Sequence, residues 1–354
     1  MSILSMDEKI DYSVDKSNLR QVILNSPNQI RWTIDNWKKV YLNEAFSNVI
    51  LCGMGGSAWP MEFVINYLSN SPGIKLKNIP FFVHRNYRLP AAAVKDSLLI
   101  FSSHSGDTEE TLTAYGEAIK SGLNGIVITS GGILEKLAIK NNTPLIKIPE
   151  PSIPPRYVTG YIVGFLLKLL ANNGIIKDVS RELIKTSEYL EKIISSGKLE
   201  RQGIELAKKL KNKIPLIYSS VNYKIAAKVW KIKFNENSKV PAFWNYIPEL
   251  NHNELVGFSK ANVRRFFVLI LKDNKDNKSI LKVMDITAGL LKKRNMLFEF
   301  IEMTGDNFFD KMFSAMLLGD WISYYLAIEQ RIDPCAVEII SEFKKQLKEH
   351  SQHK

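Results

Sequence analysis

The sequence is poor in cysteine and contains no long apolar run. Its two cysteines, Cys52 and Cys335, cannot build a disulfide framework, and neither stands at a metal-ligand spacing. The apolar run at 266–271 is far shorter than the about 18 residues of a membrane span and suits a buried strand. The amino-terminal MSILSMDEKIDYS is acidic and polar, unlike a secretory signal. These absences predict a cytoplasmic protein without a membrane partner.

Histidine is also scarce, with five in the chain. No group of His, Cys and carboxylate residues has the spacing of a metal site. The sequence has neither a Walker A motif nor GxGxxG, which argues against nucleotide binding. We therefore expect no metal and no organic cofactor.

Acidic residues are outnumbered, with 36 Asp and Glu against 48 Lys and Arg, for a net charge of +12. A basic balance favours anionic partners, and nucleic acid is one of them. The basic residues are spread along the chain, however, and no zinc-finger, RRM-type or basic-zipper signature accompanies them. The prediction is a small anionic ligand and no nucleic acid.

The 354 residues, 45% hydrophobic and 24% charged, are enough for two domains. Apolar strands alternate with helical stretches in two similar halves, which predicts an α/β fold with two mostly parallel sheets flanked by helices. Four prolines at 149–155 predict an extended segment that ends the first domain, so we expect domains at 1–155 and 156–354. The predicted strands are 48–52, 80–84, 97–101, 125–129, 144–148, 215–219, 265–271 and 297–301.

The segment at 102–111, SSHSGDTEET, leaves a predicted strand and enters a predicted helix, where α/β sheets bind ligands. Hydroxyls of Ser103, Ser105 and Thr108, with amides at the helix start, suit a phosphate monoester, and Gly106 allows a tight turn. The alternative is an N-capping cluster in which Ser105 or Asp107 caps the helix.

A second glycine-rich turn, GMGGSA at 53–58, lies at another strand-to-helix junction. Gly56 lets the backbone approach a sugar, and Ser57 is expected at the rim of the site. The alternative is close packing between the strand and its helix. Together, GMGGSA and the later SHSGDT resemble the sugar-isomerase (SIS) domain of phosphohexose isomerases and sugar-phosphate-sensing regulators. That resemblance implies two SIS-type domains and a sugar-phosphate ligand.

The stretch at 230–254, WKIKFNENSKVPAFWNYIPELNHNE, closely resembles the bifunctional phosphoglucose/phosphomannose isomerase family. In that family a Phe-Asn-Glu-Asn turn precedes Glu-Leu-Asn-His-Asn-Glu. The resemblance implies that Glu236 is the catalytic base and that His252 opens the sugar ring. It also implies that His252 serves the neighbouring subunit of a homodimer with a shared active site.

Two further catalytic residues come from the same resemblance. The family has an arginine after prolines, held here by Arg156, which implies a cation near the developing enediolate. The family's last helix carries a catalytic lysine directly after an apolar position, which Phe343 holds here. This favours Lys344 as the residue that assists ring opening, and Lys345 stays an alternative. Two residues depart from the family pattern. His104 stands where the family often has an aromatic residue, and Asp107 stands where asparagine is common. We expect the Asp107 carboxylate to point away from the phosphate, as a helix cap.

The resemblance implies a reversible isomerase that converts glucose 6-phosphate, and mannose 6-phosphate, to fructose 6-phosphate through a cis-enediol, in glycolysis and gluconeogenesis. A non-enzymatic sugar-phosphate sensor is the main alternative. Such sensors usually carry a DNA-binding helical module, for which the first 45 residues are short. An amino-sugar isomerase is a third possibility, disfavoured because Ser2 rather than a cysteine nucleophile follows Met1.

Overall fold

The chain forms two compact units. The computed structural model describes residues 10–42, 46–70, 79–149, 151–259 and 263–352. The first unit comprises Leu24–Ser195 and Gly305–Phe313, and the second comprises Met1–Ile23, Ser196–Thr304 and Ser314–Lys354. The helices between residues 159 and 195 thus belong to the unit of the first sheet. The domain ranges 1–155 and 156–354 stay a prediction.

The first unit is built on a five-stranded, wholly parallel sheet with the order β2-β1-β3-β4-β5. Its strands are β1 Asn48–Gly53, β2 Phe81–His84, β3 Ser97–Ser102, β4 Gly125–Thr129 and β5 Leu145–Lys147. Its helices are α2 Ser26–Asp35, α3 Trp59–Asn70, α4 Glu109–Lys120, α5 Gly132–Lys140, α6 Thr159–Asn172 and α7 Ser180–Ser195. Helix α1, Leu19–Leu24, precedes them.

The central strands β1 and β3 are buried at every position. Parallel sheets are covered on both faces, so such strands read as continuous apolar runs rather than alternating ones. On one face Ile50, Leu99 and Val127 pack with Phe101 and Tyr115. This packing fixes the carboxyl ends of β1, β3 and β4, where the candidate loops begin.

The second unit repeats the arrangement with a four-stranded parallel sheet in the order β7-β6-β8-β9. Its strands are β6 Ile214–Ser220, β7 Phe243–Ile247, β8 Phe266–Lys272 and β9 Leu297–Glu302. The remaining helices are α8 Lys198–Leu210, α9 Lys224–Asn237, α10 Glu254–Gly257, α11 Lys278–Lys293, α12 Phe308–Glu329 and α13 Glu338–Gln352. None of the described helices combines the length and apolar content needed to cross a membrane.

The predicted α/β class with two parallel sheets is confirmed. Strand β7 was missed because Asn245 interrupts its short apolar pattern FWNYI, which lies between two prolines. The proline segment is not uniformly extended: residues 151–152 form a turn, and Pro155–Tyr157 form a 3-10 turn.

Candidate active site

Three loops meet at one edge of the first sheet. Strands β1, β3 and β4 are adjacent and parallel, so their carboxyl ends lie side by side. The loops that follow them are residues 54–58, 103–108 and 130–131. Ligands of parallel α/β sheets bind at this edge. The predicted phosphate-binding hydroxyls all come from the first two of these loops.

The loop at 103–108, called here the phosphate loop, is organised by its own hydroxyls. The Ser103 hydroxyl donates to Thr108 Oγ1 over 2.9 Å and accepts the Gly106 amide over 3.1 Å. Thr108 is the N-cap of α4, but its side chain makes no capping hydrogen bond. Ser105 is exposed, and its hydroxyl accepts the Asp107 amide over 3.3 Å. The loop therefore carries a cluster of three hydroxyls directly before the first turn of α4, the arrangement that suits a phosphate.

The phosphate loop interlocks with the turn that starts α5. Gly106 has φ +74°, and a Cβ built on it would lie 1.8 Å from the carbonyl oxygen of Gly131. Gly132, with φ +75°, also approaches the opposite loop closely, because a Cβ there would lie 2.2 Å from the Ser105 carbonyl oxygen. The Leu134 amide donates to the Gly106 carbonyl over 2.9 Å. Only glycine fits at both positions.

Asp107 points away from the hydroxyl cluster, as predicted, but it caps a different helix. Its Oδ1 accepts the amide of Ile133 over 3.0 Å, in the first turn of α5. The alternative in which Asp107 caps its own helix is therefore wrong. The carboxylate is occupied by the neighbouring helix start, where negative charge is favourable.

Ser57 connects the glycine-rich turn to the phosphate loop. It is 5% exposed, and its Oγ accepts the backbone amide of His104 over 2.9 Å. Gly56 lies against the segment that carries the candidate arginine, since a Cβ there would lie 2.5 Å from the Pro155 carbonyl oxygen. Ser57 is therefore buried against the next loop rather than exposed at a rim, and Gly56 packs against the Pro155 segment rather than against its own helix. The approach of Gly56 to a sugar stays a prediction.

The His104 side chain is buried, with 4% of the residue exposed, and its Nε2 has no hydrogen-bond partner among the described residues. Burial lowers the pKa of this imidazole, because a desolvated site disfavours the charged form.

Arg156 is 3% exposed and lies in the 3-10 turn Pro155–Tyr157, with its guanidinium carbon 5.6 Å from the Tyr157 ring centroid. Gln29 of α2 fixes this turn. Its amide nitrogen donates to the Tyr157 carbonyl over 2.7 Å, and its carbonyl accepts the Gly160 amide over 3.1 Å. Sequence reasoning missed Gln29, since nothing in the amino-terminal pattern marks it.

In the second unit, Glu236 is half-buried in the last turn of α9. Its two asparagine neighbours hold the helix end. Asn235 donates to the Val240 carbonyl over 3.0 Å, and Asn237 donates to Ser323 Oγ over 2.9 Å. These contacts position the backbone that carries the candidate base.

His252 is exposed at the end of the 3-10 turn Glu249–His252. Among the described residues, none is hydrogen-bonded to its imidazole. Its polar neighbours hold the turn: Asn251 donates to Thr287 Oγ1 over 2.7 Å, and Glu254 accepts from Asn245 over 2.5 Å and from Tyr218. The backbone of the 249–252 turn is therefore held in place, while the His252 imidazole is exposed.

Lys344 and Lys345 are both exposed on α13. Lys345 lies 3.9 Å from Glu349, one helical turn later, on a solvated face. No such pair involves Lys344 among the described residues. The same helix carries strongly exposed apolar side chains, including Ile339 at 79% and Phe343 at 63%.

Within the described parts of the chain, no three His, Cys, Asp or Glu residues lie together as metal ligands. A cavity of about 280 Å³ lies in the first unit beside Ser97, Leu98 and Gly125. These residues begin β3 and β4, so the cavity is at the amino edge of the sheet, opposite the phosphate loop. It is not the candidate site.

Comparison with known proteins identifies relatives of this chain. Residues 199–347 match the bacterial phospho-glucose isomerase C-terminal SIS domain. A bifunctional phosphoglucose/phosphomannose isomerase of Caldicellulosiruptor bescii is 36% identical over 338 residues, which cover 92% of this chain and 98% of that relative. The enzyme of the same name from Aquifex aeolicus is 33% identical over 307 residues, covering 86% and 92%. A hypothetical protein of Thermus thermophilus shares the fold, with a TM-score of 0.72, 12% identity, and coverage of 98% and 92%.

Two parallel sheets flanked by helices, together with the match of residues 199–347 to a SIS domain, define a protein of the SIS class. Identity above 30% extends over nearly the full length of named relatives. The chain belongs to the bifunctional phosphoglucose/phosphomannose isomerase family.

Proposed function

We propose that this chain catalyses the reversible isomerisation of glucose 6-phosphate and mannose 6-phosphate to fructose 6-phosphate. The observation that carries the proposal is the 36% identity, over 92% of the chain, to a relative with both isomerase activities in its name. The chemistry is proton transfer between C2 and C1 of the open sugar through a cis-enediol. Because the enediol has lost the configuration at C2, one base can form it from either epimer.

The 6-phosphate is bound by Ser103, Ser105 and Thr108, with Gly56 and Ser57 supporting the loop. Three hydroxyls within one short loop and the first turn of α4 support this role. Neutral donors and helix-start amides bind a phosphate without a neutralising lysine. The buried hydrogen bond from the His104 amide to the Ser57 hydroxyl holds the two loops together.

Glu236 removes the proton from C2 and delivers it to C1, and Arg156 stabilises the negative charge of the enediolate. A guanidinium keeps its charge at every physiological pH, and stabilisation of developing charge is a major part of such catalysis. His252 and Lys344 assist the opening of the ring by moving protons to and from its oxygens. The reaction on this proposal uses no metal and no cofactor.

We further propose a cytoplasmic homodimer in which His252 serves the active site of the partner subunit. Two observations support it. The His252 ring is exposed on an anchored turn, and α13 exposes apolar side chains that a second subunit would cover. Large exposed apolar patches of this kind are typical of surfaces that bind another protein.

The test is Glu236→Gln, which keeps the shape of the side chain but removes the base. Coupled assays on glucose and mannose 6-phosphates should show turnover reduced at least about 100-fold, with fructose 6-phosphate still bound. The matched control is Glu191→Gln, which replaces an exposed glutamate paired with Arg31 and should leave turnover unchanged. Wild-type turnover in the Glu236 variant would refute the base assignment. Activity that survives EDTA would support the metal-free reaction.

A further inference from the structure

Helix α9 meets helix α12 along a seam of three polar contacts within the second unit. The Trp230 indole donates to the Ala315 carbonyl over 2.7 Å, and Asn237 donates to Ser323 over 2.9 Å. Between them, the Lys233 ammonium lies 2.6 Å from Asp320 Oδ1. Residue numbers rise together on both helices, so the two segments run in the same direction.

The central contact is a buried ion pair, with the side chains of Lys233 and Asp320 only 4% and 11% exposed. Taking two charges out of water is costly, and well-packed apolar residues of similar size usually stabilise as much or more. A buried pair is therefore weak evidence for stability. The pairing of two buried opposite charges can instead specify one arrangement of two helices, as buried polar contacts do elsewhere.

The seam leaves little room for α9 to slide or rotate. Trp230 is packed against Gly319, where a Cβ would lie 2.6 Å from its ring. Lys233 and Asn237 are one helical turn apart, and Glu236 lies between them in sequence, about a quarter-turn around the helix from the seam. The direction of the Glu236 side chain is consequently tied to the rotation of α9 about its axis.

We propose that Lys233 and Asp320 are positioning residues for Glu236: their ion pair fixes the rotation and register of α9 and thereby the aim of the base. The inference rests on the proposed role of Glu236. On this inference, Lys233 and Asp320 affect catalysis only by orienting Glu236, and they do not contact the substrate. A misplacement of about 1 Å at the reacting centre can lower a rate about 100-fold, so such a device can matter without changing the fold.

The decisive variant is K233M/D320V, which removes both charges and leaves neither unpaired. It should fold with a thermal midpoint close to that of the parent. Positioning predicts that its kcat falls at least about tenfold while KM for fructose 6-phosphate stays within about twofold. A purely structural pair predicts an unchanged kcat in the folded variant, and that result would overturn the inference.

A second variant, D320E, keeps both charges but lengthens the acid by one methylene in a closely packed site. It should fold, and kcat should again fall with KM little changed. If K233M/D320V does not fold, D320E decides the question by itself, because parental kcat in D320E also overturns the inference. The control is Y325F, which removes the Tyr325 hydroxyl from Glu200, a 2.5 Å contact on the same helix α12. Its thermal midpoint should fall while kcat and KM stay unchanged.

Failure of the proposed function gives a different pattern. If E236Q retains parental turnover, Glu236 is not the base, whatever the seam variants do. If E236Q is inactive and both seam variants keep parental kcat, only the positioning role is wrong.

Discussion

The Ser57 hydroxyl accepts the backbone amide of His104 over 2.9 Å, and both residues are buried. This one bond joins the glycine-rich turn after β1 to the phosphate loop after β3. Sequence alone indicated two separate loops with related roles. Their connection makes them one structural element, and it leads to the first prediction.

Ser57→Ala should leave the buried His104 amide without a partner, at a cost of about 1–3 kcal/mol in the free energy of unfolding. Because the phosphate loop loses its link, KM for fructose 6-phosphate should rise more than kcat falls. Urea unfolding and steady-state kinetics measure the two effects. Ser105→Ala is the matched control: its exposed hydroxyl contributes little to stability, so only KM should rise. Equal losses of stability in both variants would contradict the assignment.

Gly106→Ala should destabilise the protein by at least about 2 kcal/mol. The substituted residue would need a left-handed backbone, and its Cβ would meet the Gly131 carbonyl oxygen at 1.8 Å. Gly116→Ala is the control, because Gly116 lies inside α4 with nothing within 4 Å of a built Cβ. That change should stabilise the protein by about 0.5–1 kcal/mol. Thermal unfolding of both variants checks the pair, and a neutral Gly106 variant would refute the interlocked loops.

The buried His104 should make stability fall in mildly acidic solution. The pKa of His104 is lowered from its ordinary 6.5 in the folded protein, so between the two pKa values the unfolded chain binds more protons. The free energy of unfolding therefore falls as the pH drops below 6.5 toward the folded pKa. His104→Phe should reduce this loss while leaving stability near pH 8 comparable. Urea unfolding near pH 8 and below pH 6.5 measures the free energy of unfolding of both proteins. An unchanged pH dependence in the variant would contradict the prediction.

Mixing two inactive variants tests the shared active site. Glu236→Gln and His252→Asn should each be inactive as homodimers. When the two are denatured together and refolded, a mixed dimer has one site with both residues intact. Activity should then recover to about a quarter of the parental value. No recovery, with mixed dimers demonstrated by mass spectrometry, would mean that His252 acts in its own subunit or not at all.

Lys344→Met should lower kcat about 10–100-fold if this lysine assists ring opening. Lys345→Met is the control: its partner is Glu349 at 3.9 Å on an exposed helix face, and such pairs contribute little. Its kcat should match the parent. Measuring kcat of both variants on glucose and mannose 6-phosphates distinguishes the two lysines. A loss of kcat in the Lys345 variant alone would assign the role to Lys345.

Much of the fold could be predicted from the chain because it rests on local patterns. Buried strands β1 and β3 are apolar at successive positions, and parallel sheets require this on both faces. Strand β7 could not be predicted in the same way. Asn245 interrupts its FWNYI pattern, so the segment offers no continuous apolar run to mark it as a strand.

The candidate chemistry also came from the sequence: hydroxyls near Gly106, and an acid and an imidazole in one motif. Which polar groups contact each other did not, because hydrogen bonds between distant segments depend on packing. Asp107 caps α5 rather than its own helix, and Gln29 fixes the turn that carries Arg156. The sequence by itself determined the residue types, their order and the family. Only the tertiary structure decided their partners, because burial and direction are properties of the folded chain.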